Sequence, residues 1–212
     1  MSQIEEFDKN VEEYDKWYDE LPEVYQSELL SIKEQLRKLP ENIRGIEVGL
    51  GTGRFAQPLG IKEGIEPSEE MAFRATKRGI EVVKGVAESM PYKAMQFDFV
   101  LFVTICYLDN IERAIEESYR VLKPKGALIM AILDKNQPVA QEYKERKKRS
   151  TFFRNARFYS VKYITDLIES KGFKDLDYNQ TLFGELNEIK TAQRPKPGYG
   201  EGSFVVIKAT KK

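Results

Sequence analysis

The 212-residue chain contains no histidine and one cysteine, Cys106. Without histidine there is no Ser-His-Asp triad, no Cys-His dyad and no His-ligated zinc. The usual neutral-pH general base is missing too. A single cysteine cannot close an internal disulfide. Long apolar runs are also lacking: the longest, Ala127 to Leu133, has seven residues, where a membrane span needs about 20. The N-terminal MSQIEEFDKN is acidic and polar, unlike a signal peptide, and with one reduced thiol it predicts a cytoplasmic protein. Basic and acidic residues number 34 each, so the formal net charge is zero. Attraction of the whole molecule to a polyanion is therefore not indicated, and only a local patch would serve. Any chemistry must come from carboxylates, tyrosines, lysines, backbone amides or a cofactor that brings its own reactivity.

What is present reads as one domain of ordinary size, with 41% hydrophobic and 32% charged residues. Residues 1–39 predict a helical cap: Phe7, Val11, Tyr14, Trp17, Tyr18 and Leu21 recur at spacings of three and four, Pro22 ends that run, and a second amphipathic segment opens at Val24. From residue 44 the pattern changes. GIEVG, IKEGIEP, IEVVKG, FDFVLFVTI and GALIMAIL read as strands. Between them lie a short segment at 54–59, a helix capped by Ser68 that stops before Gly79, and a helix from Asn110 to Leu122. Such alternation predicts an α/β fold with an open, mostly parallel sheet and helices on both faces. A last helix at 160–170 and strands near 173–183 and 203–210 complete seven strands, the last of them antiparallel. The division reads as cap 1–39, core 40–133, and lid with C-terminal strands 134–212.

In such a sheet the ligand lies beyond the carboxyl ends of the strands, at the switch point of strand order. Gly49-Leu50-Gly51-Thr52-Gly53 follows the first strand directly, and its glycines permit a sharp turn and close approach of a ligand. Glu66 ends the next strand, 17 residues after Gly49, where an acid can accept both hydroxyls of a ribose. The nicotinamide pattern G-x-G-x-x-G is broken by Arg54 in its third small slot, and the P-loop pattern is absent.

These residues resemble the class I S-adenosylmethionine-dependent methyltransferases, in particular their small-molecule, type 11-like branch. The resemblance covers 40–133 closely and 160–210 loosely. It rests on Ile46-Glu47-Val48-Gly49-Leu50-Gly51-Thr52-Gly53, Glu66-Pro67-Ser68-Glu69-Glu70-Met71, Gly85-Val86-Ala87-Glu88-Ser89-Met90-Pro91-Tyr92, Phe97-Asp98-Phe99-Val100 and Arg120-Val121-Leu122-Lys123-Pro124-Lys125-Gly126, in the family's order and spacing. It implies a Rossmann-like fold, S-adenosyl-L-methionine as cofactor, and methyl transfer to a small-molecule acceptor. It also implies roles. Gly49, Gly51 and Gly53 would line the methionine part of the cofactor, and Glu47 would support that loop or reach the amino group, directly or through water. Glu66 would take the ribose hydroxyls. Pro67 and Met71 would pack on the adenine, and Ala87 with Glu88 would face its edge. Thr104 and Ile105 would lie near the methyl group. Tyr14 would touch the cofactor from the cap. Trp17, Tyr18, Cys106 and Tyr107 would face the acceptor.

Two departures stand out. Val86 occupies the family's adenine-contacting Asp position and Lys125 a common Gly position. A base is needed only for an acceptor that binds protonated, and the sequence leaves it open among Tyr14, Tyr18, Tyr107, Asp109 and a lid carboxylate. No metal site is expected. Residues 144–157 carry seven basic residues and one acid, with aromatics interleaved. They read as a solvated helix face paired with the acidic cap, or as a lid for an anionic acceptor or RNA. The loop 184–202 reads as an edge of the acceptor pocket. The alternative from another class is a noncatalytic nucleotide-binding or interaction protein on the same fold.

Overall fold

The computed structural model describes residues 3–146 and 153–212. Three helices open the chain: α1 (Gln3–Lys9), α2 (Val11–Glu20) and α3 (Pro22–Leu36). The first predicted helical run is broken at Asn10, whose side-chain amide donates to the Glu6 carbonyl at 2.7 Å and competes with the helical bond. Pro22 begins α3 rather than only ending its predecessor. At the first position of a helix its missing N–H costs nothing.

The core follows as β1 (Gly45–Val48), α4 (Ala56–Leu59), β2 (Glu63–Ile65), α5 (Glu69–Lys77), β3 (Glu81–Val83), β4 (Phe97–Val103), α6 (Ile111–Val121) and β5 (Leu122–Leu133). Then come α7 (Pro138–Arg146), α8 (Val161–Ser170), β6 (Phe173–Thr181), β7 (Lys196–Pro197) and β8 (Phe204–Lys211). Ser68 caps its helix as expected, accepting from the Met71 amide, and Asn110 and Ser160 likewise accept from the amides of Arg113 and Tyr163.

The sheet has the order β3-β2-β1-β4-β5-β8-β6-β7. β1 to β5 are mutually parallel and β8 runs antiparallel between β5 and β6. Among the described residues there are thus eight strands, not seven. The addition is the two-residue β7, too short to leave a sequence pattern, paired on the edge of β6. β5 also begins earlier than GALIMAIL: Leu122 pairs with Phe97, and an irregularity carries Lys123 to Lys125 past the register shift.

Alternation along the central strands builds two cores. Phe99 and Leu101 of β4, with Ile129 and Ala131 of β5, pack beneath α2, α3, α4, α5 and α7. Val100 and Phe102, with Leu128 and Met130, pack beneath α6 and α8. Strands covered on both faces read as continuous apolar runs.

The most heavily bonded tie between cap and core is a carboxylate. Asp15 of α2 is 8% exposed. It accepts from the Thr52 hydroxyl at 2.6 Å, from Arg54 Nε at 3.1 Å and from Arg78 at 3.2 Å. Arg54 also forks onto Asp19 at 2.8 and 3.0 Å. Burial alone would raise the Asp15 pKa. Thr52, Arg54 and Arg78 nevertheless hold it below the ordinary carboxylate value. Its contribution to stability is therefore complete above the normal aspartate range and is lost only in stronger acid. Asp15→Ala takes the buried partner from three guanidinium groups, Arg54, Arg74 and Arg78, and is expected to cost about 3 kcal/mol in chemical denaturation at neutral pH. Asp19→Ala removes a carboxylate that is 64% exposed and should cost less than about 1 kcal/mol.

Candidate functional site

Strand order reverses between β1 and β4, and the carboxyl ends of β1 to β5 open into one cavity of about 780 Å³. That is toward the upper end of ordinary ligand pockets, which run to about 1,000 Å³. Ala87 follows β3, Glu66 follows β2, Gly49 follows β1, Thr104 follows β4 and Leu133 ends β5, and all five line this cavity. Reading them in sheet order gives a trough along the strand tips. The cap roofs it with Phe7, Tyr14, Trp17 and Tyr18, α3 contributes Glu28, and α7 contributes Tyr143.

The glycine loop is pinned by the neighbouring strand. The amides of Gly49 and Leu50 both donate to the Ile65 carbonyl, at 2.9 and 3.1 Å. Gly49 and Gly51 have φ of 69° and 56°, a region that side chains with a Cβ seldom occupy. A Cβ on Gly49 would meet nothing within 4 Å, while one on Gly51 would come 3.1 Å from the Tyr14 hydroxyl. The loop therefore presents bare backbone to the cavity with Tyr14 laid against it. Gly53 serves packing instead. It does not line the cavity, and a Cβ there would lie 2.4 Å from Ile80 Cδ1.

Glu66 locks the loop to β2. Its two carboxylate oxygens accept from the amides of Gly51 at 2.8 Å and Ser68 at 2.9 Å. Burial pushes its pKa up to about 7 against the pull of those two amides. Asp8 of α1 accepts from the Ser68 hydroxyl at 2.5 Å and so seats the cap on the same turn. Pro67 and Met71 line the cavity beside it. Glu47 does not. It is 1% exposed under the loop, held by the Ala56 amide, with one oxygen lacking any partner. Burial and the nearby Glu66 raise its pKa well above the normal value.

At the β3 end, Ala87, Glu88 and Val86 line the wall. Glu88 accepts from the Asn110 amide at 3.0 Å, and Val86 is 40% exposed. This turn is braced from below by α6. Glu117 accepts from the Met90 amide at 2.8 Å, and Arg120 donates to the carbonyls of Tyr92 and Met90 at 2.7 and 3.0 Å.

Thr104 has φ of 59°, unusual for a β-branched residue. This bend turns the chain out of β4 into a 3-10 turn, Ile105–Tyr107. Ile105 and Tyr107 line the main cavity and Cys106 does not. Successive side chains of a 3-10 turn point about a third of a circle apart. Cys106, expected to face the acceptor, is instead turned into a small separate cleft with Arg157, Phe158 and Tyr159. Burial pushes its thiol up to about 12, which leaves it unreactive. The loop 184–202, expected at the pocket edge, contributes no residue to the cavity lining. Gln180 instead gathers the amides of Glu201 and Gly202.

The roof is aromatic. Phe7 meets Tyr107 edge-on with centroids 5.1 Å apart, and Tyr18 meets Trp17, Tyr25 and Phe55 at 4.9, 5.2 and 5.8 Å. Tyr18 donates to the Tyr14 oxygen at 2.9 Å. Burial raises the pKa values of Tyr14, Tyr18 and Tyr107, so all three stay protonated at neutral pH. Glu28 stands among them, unmentioned by any motif. It is 6% exposed and makes no hydrogen bond or ion pair among the described residues, and burial alone pushes its carboxyl up to about 8. Its only sequence signal is an acid on the buried stripe Val24–Glu28–Ile32 of α3. Among the described residues no cluster of three or more His, Cys, Asp or Glu could hold a metal ion, and no helix is long and apolar enough to cross a membrane.

Comparison with known proteins gives concordant findings. Residues 46–130 match a family model described as a methyltransferase domain. An uncharacterized protein of Methanocaldococcus jannaschii is 43% identical over 189 residues, covering 89% of this chain and 90% of that one. The crystal structure of a SAM-dependent methyltransferase from Thermotoga maritima, described as a possible histamine N-methyltransferase, superposes with a TM-score of 0.93 at 46% identity over the whole of both chains. A SAM-dependent methyltransferase from Archaeoglobus fulgidus shares the fold, with a TM-score of 0.66 at 15% identity over 93% of this chain and 99% of that one.

The raised pKa of Glu28 carries a stability signature. Its folded pKa, about 8, lies above the unfolded value near 4.5. The stability it confers is present below about pH 4.5 and lost as the pH rises through 8. Glu28→Gln should therefore melt with wild type in acid and be more stable at pH 9, by roughly 2–5 kcal/mol. Melting curves across this range check it, and a difference independent of pH would refute it.

Proposed function

The chain belongs to the class I S-adenosylmethionine-dependent methyltransferases, with S-adenosyl-L-methionine as cofactor, and from that premise we propose that it methylates a small molecule bound in the same cavity. One observation carries the reading: a buried carboxylate, Glu66, fastened to the bare-backbone loop at Gly51, opens onto a trough that continues past β4 to β5. Such a trough has room for a second, smaller reactant beside the cofactor.

The residues present fit the cofactor. Glu66 keeps lone pairs free beyond the two amides it accepts from, and they would take the ribose hydroxyls. Gly49 and Gly51 would admit the methionine chain, with the Tyr14 hydroxyl closing over it. Pro67, Met71 and Val86 would hold the adenine faces. With Val86 in place of an acid, the backbone around Ala87, rigid because Glu117 and Arg120 brace the turn, would meet the adenine edge. When bound, the cofactor supplies a methyl group already activated by its sulfonium, so the protein has to align acceptor and methyl and exclude water. Thr104, Ile105 and Tyr107 would flank the line of transfer, and the aromatic roof would keep it dry.

The basic stretch 144–157 gives little support to an RNA acceptor. Residues 147–152 lie outside the described residues. Of the rest, Arg154 lies 3.9 Å from Glu6, and Arg157 donates to the Asp109 carbonyl at 3.1 Å. Nothing observed favours a noncatalytic role.

S-adenosylhomocysteine should raise the melting temperature, and Glu66→Ala should weaken its binding roughly ten- to a hundredfold, about 1.5–3 kcal/mol. Ribose hydroxyls donate to the ionised carboxylate, so binding should be about tenfold weaker at pH 6 than at pH 8, because free Glu66 titrates near 7. Calorimetry at both pH values checks this. No binding at millimolar ligand would refute the reading, and a pH-independent affinity would remove Glu66 from the ribose.

A further inference from the structure

Glu28 takes no part in cofactor binding. It projects from α3 into the cavity, within electrostatic reach of Tyr18 and Tyr25. It is only 6% exposed and has neither hydrogen bond nor counter-charge among the described residues. An isolated buried carboxylate is destabilising and needs a partner when ionised. Tyr18 stands near it, and Trp17, Tyr107 and Tyr143 line the same cavity, whose ring faces attract cations. Among the described residues that line the cavity, Glu13, Glu20, Glu28, Glu66, Glu88 and Asp109 face one base, Lys16. Lys16 is itself taken by Glu20 at 3.0 Å at the exposed rim. A cavity with this charge and this lining fits a positively charged organic guest.

We propose that the methyl acceptor is an organic amine, received as its ammonium ion by the Glu28 carboxylate within this cavity. The inference rests on the methyl-transfer reading above and adds the substrate class and the residue that selects it. Glu28 then has a chemical use. An ammonium nitrogen has no lone pair to offer, and Glu28 takes one proton from it. The freed pair forms the N–C bond to the methyl carbon while the C–S bond breaks, its electrons leaving on sulfur. The product is an N-methylammonium ion, and the proton held by Glu28 passes to water when that product departs. Its titratable neighbours are phenols and the other acids of the cavity. Tyr18 from α2 and Tyr25 on α3 are within its electrostatic reach. Their phenols, like that of Tyr107 after β4, are held protonated by burial. Glu13, Lys16 and Glu20 stand on α2, Asp109 follows the 3-10 turn, Glu66 and Glu88 occupy the cofactor end, and Tyr143 closes the α7 side.

The test uses the full chain saturated with S-adenosylhomocysteine. Calorimetry follows binding of 2-phenylethylamine, histamine and putrescine against 2-phenylethanol and phenylacetate. Amines should bind, and the neutral alcohol and the carboxylate should not. With S-adenosylmethionine, the bound amine should gain one methyl group by mass. Glu28→Gln should bind S-adenosylhomocysteine as wild type does, yet bind the amine roughly thirtyfold or more weakly. It should also lose the acid limb of the kcat profile, which Glu28→Asp should partly restore. If all the amines fail to bind in the millimolar range, if the alcohol or the carboxylate binds as well as they do, or if Glu28→Gln leaves amine binding intact, the proposal falls. Failure of wild type to bind S-adenosylhomocysteine would instead overturn the methyl-transfer reading on which it rests.

Discussion

The site depends on one hydrogen bond, from the Gly51 amide to the Glu66 carboxylate at 2.8 Å. It joins the tips of two adjacent parallel strands at the reversal of strand order. It pins the glycine loop, and it holds a carboxylate in a place water barely reaches. The second Glu66 oxygen extends the tie to Ser68, and Ser68 to Asp8 of the cap. Loop, second strand, helix α5 and cap thus share one small knot of hydrogen bonds, and the cavity forms around it.

A second tie completes the enclosure. Asp15 reaches the far side of the same loop through Thr52 and Arg54 and the end of α5 through Arg78. The cap is therefore anchored at both ends, by Asp8 and by Asp15, and the aromatic side chains between them roof the trough. Charge is handled in opposite ways on the two sides of α2. Asp15 is saturated with donors and its pKa falls, whereas Glu28 across the roof has none and its pKa rises. Elsewhere the buried carboxylates serve as braces: Glu117 with Arg120 fixes the turn at residues 85–92. The asymmetry separates a carboxylate saturated by donors from one that has none among the described residues.

Much of the architecture is legible in the sequence because it is written locally. Short apolar runs with glycine ends mark β1 to β5, and serines and asparagines at helix starts mark α5, α6 and α8. The distance from Gly49 puts Glu66 at the tip of the second strand, and it lies there. The misses share a cause. β7 has two residues and exists only because β6 offers an edge. Asn10 breaks a helix by a side-chain bond that periodicity does not register. Cys106 faces away from the trough because a tight turn after a left-handed Thr104 sets its direction.

The alternating strands and helices, the bare loop after the first strand, the acid after the second and the family to which these belong are legible in residue order alone, since each is a pattern within a few consecutive residues. Which side chains share the cavity depends on packing between distant elements. Glu28, Trp17, Tyr107 and Tyr143 are far apart along the chain, and they meet because the rotation of α2, α3 and α7 about their axes is set by packing on the sheet. That rotation places an acid of α3 inside rather than in water, and burial among aromatic rings turns an ordinary glutamate into a group whose proton is exchangeable near neutral pH.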